Sequence, residues 1–83
     1  MELFYVKKCY GTEPIIESLG HFNDIDDAWV KIRNYLAEID YQAYYYRTLS
    51  SESGMVIDYG SHFNFFYVVN EGHTLEEVRR EIM

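Results

Sequence analysis

Residues 63–72 read Phe63-Asn64-Phe65-Phe66-Tyr67-Val68-Val69-Asn70-Glu71-Gly72, and the fold follows from what this stretch demands. The run 63–69 carries no charge. It is rich in aromatic and β-branched side chains, which suit a pleated, packed surface. On the edge of a sheet such a strand would template aggregation, so it is predicted to lie centrally. Asn70-Glu71-Gly72 ends it with a turn. Thr74 and Glu77 then have capping-box spacing, with Leu75, Val78 and Ile82 on the inner face of a short helix. Upstream, Gly60-Ser61-His62 reads as a tight turn, 55–59 as a strand, 50–54 as a loop and 43–49 as another strand. Connections this short imply antiparallel pairing among the last three strands.

Further toward the N-terminus, residues 3–10 read as a strand and Gly11-Thr12-Glu13-Pro14 as a turn. Residues 15–19 complete a hairpin that Gly20 is expected to break. Asn23 or Asp24 is a good N-cap for a helix reaching Ile39. Ile25, Ala28, Trp29, Ile32, Leu36 and Ile39 recur at three- and four-residue steps and form one apolar stripe. Asp24, Asp26 and Asp27 complement the dipole at its start, whereas Glu38 and Asp40 oppose it at its end and predict fraying there. The order is β-β-α-β-β-β-α. The fold class is α+β, a five-stranded antiparallel sheet with one long helix on one face, in a single domain spanning 1–83. Trp29, Ile32, Leu36 and Phe65 are expected in the core. The terminal helix reads as too short to cover the second sheet face alone.

The chain has 83 residues, 48% hydrophobic and 18% aromatic. A domain this small needs a dense core, and large rings supply buried area economically. Its single cysteine, Cys9, excludes an internal disulfide framework. Glu2 precedes the apolar opening and the lysines follow it, the reverse of a signal peptide. The longest purely apolar run, 65–69, is far too short to span a bilayer. These features predict a cytoplasmic protein. A net charge of −7 and a pI near 4.7 disfavour direct nucleic-acid binding and anionic membranes, and suit a basic protein partner.

No catalytic or metal-binding motif emerges, and no cofactor is expected. His21-Phe22-Asn23-Asp24-Ile25-Asp26-Asp27 offers one imidazole and three carboxylates, but it lacks the glycine and glutamate of a calcium loop and reads as a capped helix start. Asp58, Ser61 and His62 bring an acid, a hydroxyl and an imidazole close in sequence. Neighbours in a strand and turn rarely converge as a triad, and a turn stabilised by Asp58 or Ser61 is the simpler reading. Cys9 shares a strand face with Lys7, and a buried, inert thiol is expected.

The tyrosines are the informative residues. There are nine, with Tyr44, Tyr45 and Tyr46 adjacent. Strand alternation sets Tyr44 and Tyr46 on one face, and Tyr45 with Arg47 on the other. Two readings stay open: half-buried sheet residues with wet hydroxyls, or an interface, where tyrosine is enriched. Tyr45, Arg47 and Phe66 are the candidate contact residues of a less protected face. Val30 and Ala37, off the main helix stripe, are further surface positions that could seat a neighbouring chain.

The tryptophan-bearing helix, then Tyr44-Tyr45-Tyr46-Arg47, then Val56-Ile57-Asp58-Tyr59-Gly60-Ser61-His62 leading into Phe65-Phe66-Tyr67, resembles small uncharacterised proteins of phages and mobile elements in Gram-positive bacteria. The likeness spans about two-thirds of the chain as a pattern, without a motif of known chemistry. It implies an accessory gene product, and such proteins often inhibit host enzymes, including CRISPR effectors. The functional expectation is a non-catalytic protein-binding module, in its more specific form a phage-encoded inhibitor of a host or defence enzyme. The alternatives are a homodimeric accessory protein and an acidic DNA mimic.

Overall fold

Alternation along the strands sorts the apolar side chains into two sets, one for each face of the sheet. The computed structural model describes residues 1–8, 13–43, 45–61 and 64–82. Its elements are β1 (Glu2–Lys7), β2 (Ile15–His21), α1 (Ile25–Glu38), β3 (Arg47–Ser50), β4 (Gly54–Asp58), β5 (Asn64–Val69) and α2 (Leu75–Ile82). The protein is α+β, with five antiparallel strands in the order β2-β1-β5-β4-β3. The uncharged strand β5 is central, as its composition requires. β2 and β3 form the edges.

On one face, Leu3, Tyr5, Ile57, Tyr59, Phe66 and Val68 pack against Ile32 and Leu36 of α1. On the other, Val6, Val56, Tyr67 and Val69 pack against Val78 of α2. This corrects the expectation of an uncovered second face. α2 is short, but it lies over the two most apolar strands. The capping box forms as the sequence predicts: the Glu77 amide donates to Thr74 Oγ1 at 3.2 Å, and the Thr74 amide to Glu77 Oε1 at 3.1 Å. Gly54 lets the helix approach. A Cβ there would collide with the Val68 carbonyl and come within 2.8 Å of Val78 Cγ2. Ser53, fully buried, donates from Oγ to Glu81 Oε1 at 2.6 Å and ties the β3–β4 connection to the last turn of α2.

Three local expectations change. Gly20 does not end β2. Leu3 pairs with Gly20 and Phe4 with Ser18, so Leu19 is the extra residue of a bulge, and Gly20 at φ +112° absorbs it. The strand expected over 43–49 begins only at Arg47, so the Tyr45/Tyr46 alternation argued from it does not apply. The end of α1, where the charges predict fraying, is closed by backbone hydrogen bonds. The Asp40 amide donates to the Ala37 carbonyl at 3.1 Å and the Tyr41 amide to the Leu36 carbonyl at 2.9 Å, with Asp40 at φ +55°. That is a Schellman closure with aspartate in the position glycine usually takes.

Ile32 and Leu36 are buried as predicted, while Trp29 and Phe65 are only partly so. Trp29 sits on the margin of the α1 layer and meets Tyr46 edge-on at 5.1 Å. Among the described residues, no helix is long and apolar enough to cross a membrane.

Candidate functional site

The structure does not bring the three predicted contact residues together. Tyr45 is exposed on the connection between α1 and β3. Arg47, on the edge strand β3, donates to Asp58 Oδ2 across the β3–β4 register at 3.0 Å. Phe66 is fully buried. It lies on the α1 face, opposite Tyr5 on one side and Ile57 on the other. Its assignment to an open face is therefore corrected: the register turns Phe66 toward the long helix and gives Phe65 and Tyr67 to the α2 side.

The other sequence candidates resolve locally. Asp58 also accepts the Gly60 amide at 2.9 Å, and Ser61 Oγ accepts the Asn64 amide at 3.1 Å, the turn chemistry expected of them. Cys9, Tyr44, His62 and Phe63 lie outside the described residues. Asp24 caps α1 by accepting the Asp27 amide at 3.0 Å. Among the described residues, no three His, Cys, Asp or Glu side chains gather in a metal-binding arrangement. Val30 is exposed, 48% accessible, and Ala37 is exposed as well.

What the fold assembles instead is a tyrosine-lined cleft at the C-terminal end of α1. β1 contributes Tyr5, the end of β4 Tyr59, α1 Tyr35, and the Schellman turn delivers Tyr41. The cleft has a volume of about 420 Å³, within the range of small-ligand sites. Its floor is the buried pair Tyr5 and Tyr59, whose hydroxyls are 2.9 Å apart and share a hydrogen bond. Tyr35 stacks at a tilt on Tyr5 at 4.9 Å, and Tyr41 meets Tyr59 edge-on at 5.2 Å. Ile15 and Ile39 stand at the rim, 57% and 46% exposed.

The surroundings of the cleft favour the neutral form of two of its phenols, Tyr5 and Tyr35. Burial, then the hydrogen bond with Tyr59, pushes the Tyr5 hydroxyl far above the ordinary phenol range. Burial and the bond that Tyr35 donates to Glu17 at 3.1 Å raise Tyr35 too. The last turn of α1 carries no basic residue, so its carbonyl end is a source of negative potential beside Tyr35 and Ile39. Glu17 adds a carboxylate to the lining, and Glu38 adds to the field at Tyr35.

Comparison of the chain with protein-family models, curated proteins and solved structures finds no match.

Sequence reasoning missed this cleft because its rings come from positions 5, 35, 41 and 59, which only the strand order brings together. A signal was present in Tyr35: it neighbours the apolar stripe of α1 without belonging to it, as expected of a ring on a flank.

Proposed function

We propose that this protein is a non-catalytic binding module that engages a basic protein partner through the tyrosine cleft and its isoleucine rim. The observation that carries this reading is the juxtaposition of exposed Ile15 and Ile39 with a preformed aromatic cavity between them. Large rigid rings give contact area at low entropic cost, and apolar rim residues exclude water around a central anchor. A net charge of −7 steers a basic partner toward the surface. A cytoplasmic setting and the role of inhibitor of a host or defence enzyme are the more specific form of this proposal. The resemblance to phage and mobile-element proteins supports that form.

A second reading is self-association. β2 is a seven-residue edge strand with Ile16 47% exposed on the face shared with Val6, and pairing of two such edges about a two-fold axis would cover it.

Sedimentation of the purified chain, followed by quantitative affinity capture from the encoding organism's lysate at low and high salt, tests both. The first reading predicts a monomer whose captured basic protein is lost at high salt and on Ile39→Glu. A dimer that Ile16→Lys dissociates, with no salt-sensitive partner, favours the second.

A further inference from the structure

The chemistry of the cleft specifies its occupant more closely than its size does. Tyr35 and Tyr41, both partly exposed, line the cleft with ring surface that attracts cations, above the buried pair Tyr5 and Tyr59. Glu17 accepts one hydrogen bond, from Tyr35, and a carboxylate has room for several. The phenol oxygens of Tyr5 and Tyr59 add further acceptor lone pairs at the floor. The carbonyl end of α1 and Asp40, between the lining residues Ile39 and Tyr41, place more negative potential at the mouth. Lys7 shares the lining, yet no ion pair joins it to Glu17. A lysine on a flexible stem can extend its ammonium into solvent.

A group suited to such a site is planar, cationic, rich in donors and devoid of acceptors. That describes guanidinium, which stacks on aromatic faces and bonds carboxylates with two N–H groups at once. We propose that the cleft is a receptor for an arginine side chain of the protein partner, with the guanidinium stacked against Tyr41 and bonded to the Glu17 carboxylate. This rests on the protein-binding reading above and names the anchor that reading requires.

The test uses the full chain, ¹⁵N-labelled, titrated with N-acetyl-argininamide and with its uncharged isostere N-acetyl-citrullinamide. The expected result is a saturable set of shifts confined to Lys7, Glu17, Tyr35, Ile39, Tyr41 and Asn64. The citrulline compound should bind at least about tenfold more weakly. Glu17→Gln should weaken argininamide binding by about fivefold to tenfold. Tyr41→Phe, which keeps the ring, should retain binding, whereas Tyr41→Ala should lose it. If Tyr41→Ala perturbs the fold, the Tyr41→Phe and Glu17→Gln pair still decides the matter, because both substitutions are nearly isosteric. Shifts that never saturate, that map elsewhere, or that match for arginine and citrulline overturn the proposal. Partner capture that survives both the failed titration and Glu17→Gln leaves the protein-binding reading standing and removes the arginine receptor alone. Argininamide binding without any captured partner removes the protein-binding reading and, with it, the partner-borne source.

Discussion

At the scale of single residues, three side chains or their absence fix the local geometry, and each makes a prediction. Asp40 holds φ +55° to close α1, a conformation that glycine adopts without steric cost. It also places a negative charge at the negative end of the dipole. Asp40→Gly should therefore stabilise the protein by about 0.5–1 kcal/mol and raise Tm by roughly 2–8 °C, measured by thermal denaturation. Gly54 is the opposite case. A methyl group there meets the β5 backbone, which cannot give way, so Gly54→Ala should cost about 3 kcal/mol or more in urea denaturation. Tyr5 couples the fold to pH. Its hydroxyl keeps its proton in the folded chain at pH values where the unfolded phenol, with pKa near about 10, has lost it. The unfolded state then binds fewer protons, so stability is complete below about pH 10 and falls as pH rises above it. Urea midpoints measured from pH 8 to pH 11 should show that fall, and Tyr5→Phe should make it shallower. Tyr35 and Tyr67 are raised in the same direction, so some slope remains.

At the scale of elements, the decisive unit is α2. Its eight residues cover Val56, Tyr67 and Val69 with Val78, and Thr74 and Glu77 fix its start. Thr74→Ala should cost about 1 kcal/mol as a lost cap. Truncation after Gly72 should go further and expose an apolar sheet face, which calls for self-association. Light scattering of the truncated chain should show oligomers, and a truncated chain that stays monomeric and folded would contradict the covering role. Much of this level was legible in the sequence. The uncharged run announced the central strand, the helix stripe announced Ile32 and Leu36, and capping-box spacing announced α2. Two things were not legible. Whether eight helical residues suffice to cover a face depends on where the helix lands, and Gly54, which lets it land closely, looks like any loop glycine. The inward face of β5 depends on register, and a shift by one residue exchanges Phe66 with Phe65 and Tyr67.

At the scale of the whole molecule, the described residues of the two layers form an aromatic cleft of about 420 Å³ at the end where α1 stops. Its tyrosines were visible in the composition but not as a group, because contacts between positions 5, 35, 41 and 59 are a property of the strand order 2-1-5-4-3. The cleft lies beside the end of an acidic-ended helix in a chain of charge −7, so the field and the cavity favour the same class of partner. That the protein acts through this cleft is the central claim, and hydrogen–deuterium exchange of the chain alone and bound to its captured partner tests it most directly. The account predicts protection concentrated in residues 5–7, 15–17 and 35–41. Protection confined to β3 or to α2, with those segments unchanged, would contradict it.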